Sequence, residues 1–194
     1  MRTRWRLSYA AAIGTLAAAS ACASETPSES PPSSTTPASP SPHQDEWRAD
    51  YSEEEQDFFD EALSRAQTYE TKAQPIWAAG RVTEEATKLF EDNLITPAID
   101  IAQLEEFEAQ GIKVERYPVE LSASPRTLKL YEEAGGEVVI ERCVDASDLG
   151  GTMNGEPLDQ AASGPVIQTV MVIQYEDGIW RFGEFYTTEE PCEP

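Results

Sequence analysis

The sequence predicts an α+β domain: two or three N-terminal helices packed on an antiparallel sheet of about five strands. Three observations carry that expectation. Apolar residues recur at helical spacing from Phe59 to Phe107. Beyond Gly111 the period changes to two. The chain then closes on a long apolar passage, Gly164 to Thr188, divided by Asp177-Gly178, a hairpin signal.

Three segments precede or form that domain: 1–21, 22–45 and 46–194. The first reads as an export signal. Arg2, Arg4 and Arg6 are its positive region, and Leu7 to Ala19 is an apolar run too short to span a bilayer. Ala19-Ser20-Ala21 then precedes Cys22. This resembles the lipobox of bacterial lipoproteins, in which the Cys thiol takes a diacylglycerol; it departs at Ala19, where Leu is usual. Ala19-Ser20-Ala21 is also an A-x-A site for ordinary signal peptidase, cutting at the same bond. Two or more acyl chains on Cys22 would hold the protein stably on the membrane. The second segment is dominated by Ser, Thr and Pro and cannot bury apolar area, so it reads as an extended tether open to O-glycosylation. His43, the single histidine, lies in it and reads as solvated.

The domain opens near Trp47. Ser52-Glu53-Glu54-Glu55 is a capping box, and Asp57, Asp60 and Glu61 add negative charge where the helix dipole favours it. Phe59, Ala62, Leu63, Ala66 and Tyr69 follow at helical spacing. Pro75 and Gly80 are expected to break the chain. A second helix runs from Thr83, an N-cap, to Leu94. Thr96-Pro97 starts a third, with Thr96 expected as its cap and Pro97 at the first helical position, and Gly111 suits the left-handed position past its end.

Val114–Leu121, Thr127–Tyr131 and Glu137–Val144 read as strands, with Pro118 arguing for an edge or bulge and Ser124-Pro125 for a turn. Residues 145–164 read as a long polar loop, either a surface excursion or the site of an unseen short strand. A two-residue Asp177-Gly178 turn would set Tyr175 against Trp180 and Ile173 against Phe182. Ile173, Tyr175, Trp180 and Phe182 would then share one face as the hairpin core.

Composition limits function. The formal charge is −22; without the three arginines of the signal, 11 basic and 36 acidic side chains leave −25. Such a surface repels nucleic acid and anionic lipid. Outside the cytoplasm Cys143 and Cys192 read as a disulfide, since a metal site needs more ligands and a Cys nucleophile wants a His the domain lacks. No catalytic set, metal site or cofactor is expected. Arg142 and Arg181 read as partners of the abundant acids, and Asp145 as a turn cap beside Ser147.

Helices followed by a bent antiparallel sheet ending in a D-G-x-W-R hairpin resemble the nuclear transport factor 2-like superfamily. The lipobox and tether, Arg142-Cys143-Val144-Asp145-Ala146-Ser147, and Asp177-Gly178-Ile179-Trp180-Arg181 with near-terminal Cys192 are together similar to exported actinobacterial lipoproteins of that fold. The resemblance implies a strongly curved sheet around a conical cavity, and a place on the outer face of the cell membrane. Enzymes of the superfamily, such as ketosteroid isomerases and polyketide cyclases, set an Asp base against Tyr or Asp donors. Asp100, Asp145, Tyr117, Tyr131, Tyr175 and Tyr186 are such types here, with no spacing that joins a base to a donor. The leading expectation is a membrane-tethered, non-catalytic binding or protein-interaction module. A carrier or isomerase-like enzyme for a small apolar ligand, and a subunit of an envelope secretion or transport assembly, are the alternatives.

Overall fold

A computed structural model of the chain describes residues 46–158 and 164–192, with the side chain of residue 189 left undescribed. The readings of the export signal, Cys22, the tether and His43 lie outside the described residues.

The Ser52 capping box forms: its hydroxyl oxygen accepts from the Glu55 amide, and Glu55 accepts from the Ser52 amide. It starts α1 (Glu53–Ala79), preceded by one turn of 3-10 helix at Glu46–Asp50. α1 runs through Pro75, against expectation. Pro75 removes one helical hydrogen bond, but Ile76 and Trp77 beyond it pack on the core, so the helix stops only at Gly80. α2 (Glu84–Asn93) is capped by the Thr83 hydroxyl. α3 (Pro97–Gln110) carries Pro in its first turn and no side-chain cap from Thr96; it ends at Gly111 in the left-handed region.

Among the described residues seven strands follow, two more than expected. β2 (Val119–Leu130), β3 (Gly136–Asp145), β6 (Pro165–Gln174) and β7 (Trp180–Pro191) form one antiparallel sheet in the order β2-β3-β6-β7. β1 (Ile112–Arg116), β4 (Gly150–Met153) and β5 (Glu156–Pro157) form a second, β1-β4-β5. The long loop therefore supplies two short strands. Tyr117-Pro118 separates β1 from β2. Ser124-Pro125 is not a turn: β2 continues through it, with a register shift between Pro125 and Thr127. An edge strand tolerates the missing proline donor at such an irregularity.

Phe59, Ala62, Ala66, Tyr69 and Ala73 line the buried side of α1. They meet Val138, Ile140, Val170, Val172 and Phe182 from the sheet and Phe90 and Leu104 from α2 and α3. Three alanines in that stripe let the helix lie close to the sheet. Trp77 joins the helices, with ring centroids 5.5 Å from Phe90 and 5.7 Å from Phe107. These side chains form one core cluster between helices and sheet. Leu94 and Ile95 cover the first part of the β7 edge, where the Ile95 amide donates to the Phe182 carbonyl.

The hairpin register differs from expectation by one residue. Gln174 pairs with Trp180, Ile173 with Arg181 and Val172 with Phe182. The loop has three residues, Glu176-Asp177-Gly178: the Gly178 amide donates to Tyr175, the Asp177 carboxylate accepts from the Ile179 amide, and Gly178 takes φ 78°. A type I turn followed by a left-handed residue makes this loop. One slipped residue exchanges the two faces of a strand relative to its partner. Trp180 and Phe182 consequently join Val170 and Val172 in the core, while Ile173 is only half-buried and Tyr175 lies on the surface. The four residues expected to share a face are divided between two. A further irregularity, Val170 pairing with Phe185 after Val172 with Phe182, puts one extra residue in β7. Both phenylalanines thereby reach Tyr69, which stacks on them at 5.3 and 6.3 Å.

Candidate functional site

Arg142 is the one charged residue fully withdrawn into the described core, 3% exposed. β3 aims it at α1. Its Nη1 donates to Glu70 Oε2 (2.8 Å) and Glu120 Oε2 (3.2 Å), and its Nη2 to Glu70 Oε1 (2.5 Å) and to Gln168 Oε1. Gln67 holds Glu120 from the other side at 2.9 Å, and the guanidinium lies 5.5 Å from the Phe185 ring centre. Burial alone would lower the Arg142 pKa; the hydrogen bonds and charges of Glu70 and Glu120 outweigh it and hold the group above its ordinary value. Its Nε finds no partner among the described residues. The cluster ties α1 to β2, β3, β6 and β7. Arg142 pairs with acids, as its residue type suggested, but Glu70, Glu120 and Gln168 carry no sequence signal. They lie 72, 22 and 26 residues away.

Asp100 sits in the first turn of α3, half-buried. Burial and the neighbouring charge of Glu184 raise its pKa to about 6. Tyr69, which the sequence marks only as a core-facing helix residue, is its neighbour; burial, then the charges of Asp100 and Glu70, push that phenol far above its usual value. The other candidates are dispersed. Asp145 caps its turn, accepting from the Ser147 amide (2.9 Å) and hydroxyl (2.5 Å), and these bonds hold its carboxyl below the usual range. Tyr117 donates to the Gln74 carbonyl at 2.6 Å, and burial raises it to about 12. Tyr186 donates to Glu184 at 2.8 Å, and Arg181 to the Glu91 carbonyl at 2.5 Å.

Cys143 and Cys192 are joined in a disulfide, with Cα atoms 5.7 Å apart. β6 stands between β3 and β7, and two strand spacings come to about 9.6 Å. The tail must therefore cross the beginning of β6, where the Cys192 amide meets the Pro165 carbonyl at 3.4 Å.

One end of the large sheet has a different character. Tyr131, Tyr175 and Ile179 are three of the six large apolar side chains that are exposed among the described residues. Tyr175 and Ile179 pair across the hairpin end, and since Leu130 pairs with Gly136 and Gly136 with Gln174, Tyr131 and Tyr175 leave the sheet at the same end. Beside them opens a cleft of about 320 Å³ between the start of α1 and the β2–β3 turn. Phe58, Leu130, Tyr131 and Gln174 contribute to its walls; Glu54, Asp57, Glu61, Glu132 and Glu133 contribute its charge.

These observations define a class: an α+β domain with three helices over a four-stranded antiparallel sheet, one buried arginine, and an aromatic sheet end beside an acidic cleft. No family model matches the chain, and no curated protein does. Among solved structures, the chain is similar to the intermembrane space region of the chloroplast protein ARC6, with 11% identity and a TM-score of 0.33 over 64% of this chain and 94% of that one. A likeness of that size carries no argument about function.

Proposed function

We propose that this protein is an extracytoplasmic lipoprotein, anchored through Cys22 to the outer face of the cell membrane. In this reading its nuclear transport factor 2-like domain is a non-catalytic protein-interaction module. The anchor rests on the arginine-flanked apolar run, the Cys after Ala21, and the Ser/Thr/Pro tether. The observation that carries the module reading is the exposed end of the large sheet, where Tyr131, Tyr175 and Ile179 stay on the surface beside the cleft. Exposed aromatic residues at a cleft are the usual energetic centre of a docking surface. A photo-crosslinking residue at position 131 or 175, in the native membrane, is expected to trap a specific envelope protein; the same probe at Glu84 is expected to trap none. Equal labelling at all three positions would refute the reading. Cys22→Ala is expected to release the protein from membranes, and full retention would refute the anchor.

A second reading has one observation in its favour. Asp100, raised toward neutrality beside Tyr69, is the acid–hydroxyl pairing a small-ligand or isomerase-like site would use. Binding of a hydrophobic dye that is abolished by Asp100→Asn and Tyr69→Phe would favour it.

A further inference from the structure

We infer that the aromatic sheet end docks a basic segment of another polypeptide, seating an arginine side chain in the cleft between α1 and the β2–β3 turn. This rests on the module reading above and adds the chemistry of the partner.

The surface itself is apolar: Tyr131, Tyr175 and Ile179 are exposed, and Phe58 and Leu130 continue it into the cleft. Charge complementarity selects the occupant. Glu54, Asp57, Glu132 and Glu133 border the cleft, and none of them has an ion-pair partner among the described residues. Glu61 pairs there with Arg65, an exposed contact worth little. A flat cation that stacks on an aromatic ring while bonding a carboxylate through two N–H groups fits such walls, and guanidinium is that group. The same molecule uses this chemistry nearby. Arg48 lies 4.6 Å from the Trp47 ring centre and bonds both oxygens of Asp60, at 3.1 and 2.8 Å. The Tyr131 ring already attracts a cation, Lys129, at 5.8 Å.

Other occupants fit less well. Anionic lipid and nucleic acid are repelled by the acids around the aromatics. Among the described residues no three carboxylates converge closely enough to hold a metal ion.

The test uses the full-length protein in detergent and a fluorescent Arg-Gly-Arg-Gly-Arg peptide, read by anisotropy at physiological ionic strength (about 0.15 M). Its citrulline counterpart, equal in shape and uncharged, is the control. The arginine peptide is expected to bind at least about tenfold tighter. Tyr131→Ala, and separately the triple variant Asp57→Asn, Glu132→Gln, Glu133→Gln, should each weaken it about tenfold. The triple variant Glu84→Gln, Glu85→Gln, Glu105→Gln removes equal charge elsewhere and should change affinity less than about twofold. Equal loss in both triple variants would mean diffuse attraction to an acidic surface and would overturn the inference. So would unchanged binding by Tyr131→Ala, or displacement of the peptide by magnesium ion alone. If the crosslinks at 131 and 175 form while the peptide does not bind, the arginine assignment falls and the module reading stands.

Discussion

Replacing Glu70 by Gln should destabilise the domain through Arg142, although Glu70 itself is partly solvated. The substitution keeps the side chain's shape and one acceptor oxygen, and removes one charge. Arg142 stays charged and almost wholly withdrawn from water. Removing one partner of a buried pair costs about 3–5 kcal/mol. Two features reduce that here. Glu70 is 31% exposed, so its own pairing is partly screened, and Glu120 remains at 3.2 Å to neutralise the guanidinium. We expect a loss of about 2 kcal/mol, or roughly 4–8 °C in Tm for a domain of this size. Glu120→Gln, with its longer single contact, should cost about 1 kcal/mol. The double variant is the sharper measurement. It leaves a buried cation without a counter-charge, so its loss should exceed the two single losses combined by at least about 1 kcal/mol. Arg142→Met removes the buried charge and the unpartnered Nε together and should cost less than that double variant. Urea unfolding with a shared m-value gives all four numbers. Additive losses, or a Glu70→Gln effect within about 0.5 kcal/mol of zero, would show that Arg142 is solvated and that the cluster does not clamp α1 to the sheet.

Three further outcomes follow from single sites. The Asp100 carboxyl titrates at about 6 in the folded chain against 3.8 when unfolded, so its ionised form is disfavoured by folding. Its contribution to stability therefore rises as pH falls through 6 and levels off below about 4; Asp100→Asn should remove that slope and stabilise at pH 7.5 by roughly 1–2 kcal/mol, after discounting residual exposure and the lost helix-dipole contact. A difference curve between variant and parent that is flat from pH 4 to 7 would refute the shift. Gly178→Ala forces a side chain into the left-handed region at φ 78° and should cost about 1 kcal/mol, whereas Gly178→Asn should cost less; equal effects in thermal unfolding would argue for a different loop. Reducing the Cys143–Cys192 bond, 49 residues apart in sequence, should lower stability by roughly 4 kcal/mol on the chain-entropy model, and two reactive thiols in the unfolded, unreduced protein would show that no bond exists.

Much of the fold is legible where local chemistry decides. The capping box at Ser52, the Thr83 cap, the proline of Thr96-Pro97 and the left-handed Gly111 each depend on neighbours within a few residues. The change from helical to alternating period marked the border between helices and sheet. The errors fell where a distant surface outweighed a local signal. Pro75 usually ends a helix, yet Ile76 and Trp77 bury too much apolar area for α1 to stop there. Ser124-Pro125 looks like a turn, but β3 supplies the hydrogen bonds that keep β2 extended through it. Asp177-Gly178 suits a two-residue hairpin equally well, and burial of Trp180 and Phe182 beneath α1 selected the three-residue loop instead.

The site divides in the same way. Sequence alone determined the α+β class and the acidity, because composition and periodicity are properties of the chain itself. It marked Arg142 and the two cysteines as residues of interest. Only the tertiary structure decided what they meet: Arg142 finds Glu70 across 72 residues, and Cys192 reaches Cys143 over an intervening strand. It also decided that Tyr131 and Tyr175 share an exposed end beside five acids drawn from α1 and the β2–β3 turn. Pairings of that kind depend on strand register and helix placement, which are settled by the burial of the whole core and leave no trace in the spacing of the residues themselves.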